Sequence, residues 1–201
     1  MNEIFLKGII KNIQYSHTID NVVYHKADMI VKRPDGREDL LIVKFKQFSM
    51  NFKEDTEVEL VGNIRSYSHK KDGKNSVEIY VFSYFDEVEN SESYGSDNVA
   101  TVVGKICKKD DLRTTVNGKH YIHFILVNNM MLENGQRLNS YIPCVAWGKT
   151  AKDIDANYNI SDTIKIGGQL HSREYKKKIS DTEIEIKVAH EFATIEVTRI
   201  D

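Results

Sequence analysis

The chain has no long hydrophobic run. Its apolar stretches are a few residues each, far short of the roughly 20 that a membrane-spanning helix needs. The opening residues, "MNEIFLKGII", lack the basic start, apolar core and small-residue cleavage site of a secretory leader, so none is expected. Cysteine is scarce. Cys107 and Cys144 are the only two, and they form neither a C-x-x-C motif nor a disulfide framework. Both are expected to be small buried hydrophobes of a protein kept in a reducing cytoplasm. An excess of one charge is also missing: 28 Lys+Arg face 30 Asp+Glu, for a net charge of −2. The whole chain therefore does not announce a polyanion partner, and such a partner must be met locally. Residues 1–95 hold 13 basic and 16 acidic side chains, whereas residues 96–201 hold 15 and 14, which makes the second half the better anion binder. Catalytic signatures are absent. There is no Ser-His-Asp order with a nucleophile elbow and no Gly-x-x-x-x-Gly-Lys. The seven histidines are scattered, and His120 and His123, three apart on an alternating strand, point to opposite faces. Asp110-Asp111 and the Asp153/Asp155 pair read as turn and helix-surface charge. No enzyme activity, metal, cofactor or small-molecule substrate is expected.

What the chain does contain is one unit written twice. "EIFLKGIIKN" at 3–12 parallels "ATVVGKICKK" at 100–109, each a short apolar strand interrupted by Gly8 or Gly104. "EVELVGNIRSYSHKKDGKN" at 57–75 parallels "TIKIGGQLHSREYKKKISD" at 163–181, with Gly62 on Gly168, Ser66 on Ser172 and Lys70-Lys71 on Lys176-Lys177. Both copies then run into an alternating strand. Between them "VENSESYGSD" at 88–97 is polar and aperiodic, as a linker is. The expected division is a first domain over 1–90, a linker over 91–97 and a second domain over 98–201.

Within each copy the apolar runs are short and rich in Ile, Val, Phe and Tyr. Turn signals separate them: "PDG" at 34–36, "KDGK" at 71–74, "VNGK" at 116–119 and "ENGQ" at 133–136. That pattern indicates an all-β barrel or sandwich. "KTAKDIDANY" places Ala151, Ile154 and Tyr158 on one helical face, and "KQFSMNFKED" is its shorter counterpart in the first copy. The layout predicted is two tandem OB-folds, each a five-stranded Greek-key barrel with one short helix between strands 3 and 4. Mid-strand Gly8, Gly62, Gly104 and Gly168 fit the sharp strand bending of a small barrel. Two copies in one chain also suggest a fused dimer, in which each barrel covers edge surface of the other.

The second copy resembles the bacterial single-stranded DNA-binding protein family from Asn98 almost to the C-terminus. "NVATVVGKI", "NGKHYIHFILVNN" and "YIPCVAWGKTAKDIDANYNISDTIKIGGQLHSREY" carry the likeness in order and spacing; the first copy matches only through the internal repeat. The resemblance implies binding of single-stranded DNA without sequence preference, in replication, recombination or repair. It implies an assembly of four OB-folds, which a homodimer of this chain would supply. It places stacking aromatics at Tyr141, Trp147 and Tyr175. A further stacking site would fall near Met131 or Leu132, where no aromatic stands. The family usually carries a glycine-rich tail with an acidic, aromatic tip, whereas this chain stops at "EVTRID". Coating without recruitment and a shortened chain both remain open readings of that ending.

Alternation assigns the faces of the third strand. Tyr141, Pro143, Val145 and Trp147 are expected on an outer groove, and Ile142, Cys144 and Ala146 in the barrel interior. Lys149 would reach a phosphate from the strand end, and Pro143, which cannot donate to a ladder, marks a free edge or a bulge. "HSREYKKK" at 171–178 is the densest basic patch, with Arg173, Lys176 and Lys177 around Tyr175. Lys105, just after Gly104, adds to the basic set. In the first copy Tyr67 and Lys70 repeat the hairpin design, and Phe45, flanked by Lys44 and Lys46, is the expected counterpart of Trp147. A second reading, drawn from the acidic first copy and the missing fourth aromatic, is a protein-interaction subunit of a replication or mobile-element complex with vestigial DNA binding.

Overall fold

The computed structural model describes residues 1–47, 52–71, 74–85, 91–132, 135–178 and 184–200, with the backbone alone at 69–71, 74–75, 85 and 177–178. The first half forms β1 (Asn2–Ile19), β2 (Val22–Lys32), β3 (Glu38–Lys46), β4 (Thr56–Lys71) and β5 (Lys74–Phe85). The second half forms β6 (Asn98–Lys109), the two-residue β7 (Arg113–Thr114), β8 (His120–Met131), β9 (Arg137–Trp147), helix α1 (Gly148–Asn157), β10 (Thr163–Lys178) and β11 (Ile184–Arg199). The chain is thus all-β with a single short α-helix among the described residues. The expected helix of the first copy runs across 48–51, which lie outside the described residues.

Each half closes on itself. β1 pairs antiparallel with β2 and β4, β2 with β3, and β4 with β5. A short parallel ladder, Val43 on Val81, completes the circle between β3 and β5. The second half repeats this with β6, β8, β9, β11 and β10, where Phe192 on Cys144 forms the parallel closure. β1 and β6 then pair antiparallel from Asn2 opposite Val102 to Leu6 opposite Asn98, joining the barrels through one ladder.

The alternating strands send one set of side chains inward. Ile4, Leu6, Met29, Leu41 and Val43 are fully buried in the first barrel, as are Val102, Ile122, Leu126, Ile142 and Ile166 in the second. At about 1.5–3 kcal/mol for each such side chain, a one-residue slip of any strand would forfeit several of them at once. Ala151 and Ile154 of α1 are fully buried, and Tyr158 is nearly so. The glycines act where the strands cross. A Cβ on Gly104 would sit 2.6 Å from the Val127 carbonyl oxygen, and Gly8, Gly62 and Gly168 are held as tightly against Ile30, Phe82 and Ala193. The register shifts at Val61/Gly62 and at Gly167/Gly168 put bulges in matched places.

Three expectations need correction. Cys107 is exposed rather than buried. It is the extra residue where the β6–β8 register steps from Ile106 to Lys108, and a bulge turns its side chain outward. Val145 is 3% exposed, not part of an open groove, because it lies mid-sheet between His123 and Ala193. Phe45 is also 3% exposed and belongs to the interior set of β3 with Asp39, Leu41 and Val43.

The segment between the barrels is anchored. Tyr94, in a 3-10 turn over Ser91–Tyr94, stacks on Phe5 at 4.3 Å, and the Lys7 N–H donates to the Asp97 carbonyl at 2.8 Å. Further across the junction the matched serines play matched parts. Ser66 Oγ accepts from the Tyr141 N–H and Ser172 Oγ from the Leu40 N–H, each at 2.8 Å. The symmetry breaks one residue earlier. Asp39, fully buried, accepts from Arg33 Nε and His171 Nδ1 at 2.8 Å and from the Ser172 N–H at 2.6 Å. Burial works to raise the Asp39 carboxyl, but these donors outweigh it and hold it well below the usual range. Ser140 occupies the matching place in β9, and its buried Oγ finds no partner among the described residues.

Candidate functional site

Trp147 ends β9, and the chain turns immediately. Gly148 takes φ +58°, a left-handed conformation that glycine adopts at little cost, and the helix starts from there. The indole is left 40% exposed. Tyr121, its register partner on β8, packs against it with centroids 5.1 Å apart and planes tilted by 32°. The Lys119 ammonium stands 4.9 Å above the same indole, a distance at which a cation is attracted to the ring face. Lys149 is exposed in the first turn of α1. This end of the second barrel therefore offers two touching rings and two cations.

Tyr141, six residues back on the same face of β9, is 45% exposed. Six strand residues span about 20 Å, so Tyr141 and Trp147 serve separate ligand groups. Pro143 is half-buried between them. β11 pairs with β9 only over Cys144–Ala146, so Pro143 stands just outside that ladder, at the free edge expected of it. The outer face is thus open at its two ends and covered in the middle. Ile142, Cys144 and Ala146 are inside, and burial pushes the Cys144 thiol well above its ordinary value, so it is an inert core residue.

The β10–β11 hairpin extends past the barrel. Tyr175 is 38% exposed on it, and the Arg173 guanidinium lies 5.9 Å over that ring while standing 3.6 Å from Glu191. Lys176 is exposed. The Lys177 and Lys70 side chains lie outside the described residues. Lys105 projects from β6 and is exposed.

The first barrel presents a different face. Tyr67 is 58% exposed, but Lys44 is not a free phosphate ligand. Its ammonium is 2.7 Å from Glu78 Oε1 and 4.0 Å from the Tyr80 ring centroid, and Glu78 Oε2 accepts from Lys26 at 2.9 Å. Phe45 cannot stand in for Trp147 either. The true counterpart follows from pairing: Ser83 faces Gly62 as Thr194 faces Gly168, and Val43 and Cys144 make the parallel closures. Counting onward puts Phe45 on Ala146 and Lys46 on Trp147. Tyr24, opposite Lys46, then matches Tyr121.

Tyr121 and Lys119 are site residues that sequence reasoning passed over. A signal existed. With a three-residue loop closing Leu132 on Gln136, counting back through the hairpin sets Tyr121 opposite Trp147, whereas a two-residue Asn-Gly loop would set Ile122 there. No group of three or more metal-ligating side chains occurs among the described residues, and no helix among them is long and apolar enough to cross a membrane.

The sequence profile of the single-strand binding protein family matches residues 97–197, half of the chain. Among curated relatives, a single-stranded DNA-binding protein of Bacillus cereus is 34% identical over 94 residues, covering 43% of this chain and 55% of its own. One from Enterococcus faecalis is 33% identical over 84 residues, covering 40% and 44%. The chain thus spans about half the length of the relatives it matches. Over the whole chain, the crystal structure of the wild-type single-stranded DNA binding protein from Thermus aquaticus superposes with a TM-score of 0.73 at 16% identity, covering 93% of that chain. At that identity the likeness is one of fold.

Proposed function

Because the chain belongs to the single-strand binding protein family, we propose that it binds single-stranded DNA without sequence preference, stacking bases on exposed rings and setting phosphates against lysine and arginine. The observation that carries this reading is the exposed Trp147, backed by Tyr121 and flanked by Lys119, inside the segment that matches the family. Every base has a π face, so a ring platform holds DNA without reading it, at about 1–3 kcal/mol per base. Lys149, Lys105, Arg173 and Lys176 supply the phosphate contacts, with Tyr141 and Tyr175 as further rings. Binding releases counterions and involves no chemistry. The protein would act in replication, recombination or repair in the cytoplasm, its two barrels at 1–90 and 98–201 linked by 91–97. A pair of chains would bring four barrels together, which light scattering after size-exclusion chromatography measures.

Trp147 is the only tryptophan, so its fluorescence reports on one site. Titration with a dT oligomer should quench it, and Trp147→Ala should weaken binding by about 1–3 kcal/mol. With four phosphates neutralised, log affinity against log salt should slope near about −3, since single strands give about −0.7 per contact. An unquenched indole together with an unretarded oligomer would reject the reading.

One observation favours the second reading, a protein-interaction subunit. Ile184, Ile186 and Val188 are 62%, 64% and 38% exposed along one face of the β10–β11 arm, and clustered exposed apolar side chains mark contact surfaces. Substituting all three with serine separates the two readings. Unchanged dT affinity with loss of a co-purifying protein supports the second, and lost affinity supports the first.

A further inference from the structure

The two barrels carry matched outer-face positions with different chemistry. Where the first has Lys26, Lys44, Tyr67 and Glu78, the second has His123, Val145, Arg173 and Ala189, as the shared registers show. Only one of these four positions holds a carboxylate, and only in the first copy. There Glu78 binds both lysines at once, Lys44 through Oε1 at 2.7 Å and Lys26 through Oε2 at 2.9 Å. The three side chains are 15%, 30% and 24% exposed for Lys44, Lys26 and Glu78. Tyr80 covers the Lys44 ammonium at 4.0 Å, and Tyr67 lies farther off at 6.0 Å. Burial works to raise Glu78, but donation from Lys44 and Lys26 outweighs it, so the carboxylate stays charged at neutral pH.

We infer that Glu78 closes the first barrel's groove to DNA by occupying its two phosphate-binding lysines, so that single-stranded DNA is confined to the second barrel. A phosphate approaching the first groove meets a carboxylate already seated between the cations it would need. It must displace Glu78, which is held by two charge-assisted hydrogen bonds, the stronger class of such bonds, and leave that carboxylate half-buried without a partner. In the second barrel alanine stands in the matching place, so no carboxylate among the described residues is seated between two cations there; Glu191 reaches Arg173 alone, at 3.6 Å. This inference rests on the proposed function and refines it: the chain holds two barrels but one open DNA track.

The test is a dT-oligomer titration at several salt concentrations for the wild type, Glu78→Ala, the double variant Lys26→Met/Lys44→Met, and the triple combination. The double variant should bind like the wild type, with the same salt slope. Glu78→Ala should bind more tightly at low salt and protect a longer stretch of oligomer. Its slope should steepen by about 1.4 for two added phosphate contacts, so its advantage shrinks about sevenfold between 50 and 200 mM salt. The triple variant should lose that gain. Glu78→Gln keeps the shape and drops the charge, so it gives the same result at smaller size should Glu78→Ala fold poorly. Weaker binding by the double variant would overturn the inference, as would an unchanged slope in both Glu78 variants while the wild type still quenches Trp147. A wild type that binds no oligomer defeats the parent reading and this one with it, an outcome distinct from either.

Discussion

Inside the first barrel the Phe45 ring meets Phe52 edge-on at 5.0 Å and lies 5.8 Å from the His25 ring. An aromatic buried to 3% exposure works through packing, so Phe45→Ala should cost about 3–5 kcal/mol of stability. Urea unfolding should show it, with dT affinity unaltered; lost affinity at full stability would return Phe45 to the groove. Trp147 carries the opposite expectation, because its ring is offered to solvent. The contrast explains what was legible. In "YIPCVAWGK" the alternate set Ile142, Cys144 and Ala146 is small and apolar and takes the interior, so Trp147 reads correctly as outward. In "LIVKFKQ" alternation sets Leu41, Val43 and Phe45 on one face and Ile42, Lys44 and Lys46 on the other, so the inward phase of Phe45 was legible. Matching Phe45 and its flanking lysines to Trp147 and the lysine after it slipped the comparison by one residue, and with period 2 that is a change of face. Val145 failed for another reason: its direction was right, but neighbouring strands cover the middle of an outward face. Glu78 was invisible because its role depends on two lysines 34 and 52 residues away.

The elements themselves were largely legible, because each was marked by local chemistry. Gly36, Gly118 and Gly135 sit in the expected turns with φ of +85°, +76° and +78°, and the repeat set strand order once the second copy was understood. Strand length was not legible. β1 runs for 18 residues and β10 and β11 for 16 each, extending as two-stranded arms whose polar sequences resemble loops. The crossing glycines are the elements' most exacting demand. On Gly104 a Cβ would lie 2.6 Å from the Val127 carbonyl oxygen and 2.8 Å from Leu126 Cγ, contacts that backbone cannot yield without parting β6 from β8. Gly104→Ala should therefore destabilise the second barrel by about 1–3 kcal/mol, as overpacking does. Hydrogen exchange should locate the loss at the β6–β8 ladder. A variant as stable as the parent would show that the strands separate freely there and that closure does not depend on close approach.

Across the whole molecule the repeat gives two near-equivalent crossings between barrels, and Asp39 makes them unequal. Matched serines were visible in the sequence; the mismatch of Asp39 with Ser140 was not, since repeats are noticed by what agrees. The buried Asp39 carboxylate gathers Arg33 from its own barrel and His171 and the Ser172 N–H from the other. Arg33 also donates to the Ser172 carbonyl at 2.9 Å. His190, which donates to the Leu40 carbonyl beside it at 2.8 Å, is kept low in pKa mainly by burial and so adds little charge at neutral pH. Removing one partner of such a cluster strands the rest, so Asp39→Asn should lose about 3–5 kcal/mol at pH 7. The sign of its pH dependence follows from the depressed carboxyl. Below the ordinary carboxylate pKa of about 3.9 the unfolded chain takes up a proton that folded Asp39 still refuses, and the stability conferred by Asp39 declines. The gap between wild type and Asp39→Asn should hold steady from pH 7 to about 5 and then narrow by about 1.4 kcal/mol for each pH unit below about 4. Glu59 and Glu78, also depressed, titrate in both proteins and cancel in the difference. Urea unfolding of the two proteins across that range measures the gap, and a constant gap down to pH 2.5 would mean that Asp39 joins the barrels by shape and not by charge.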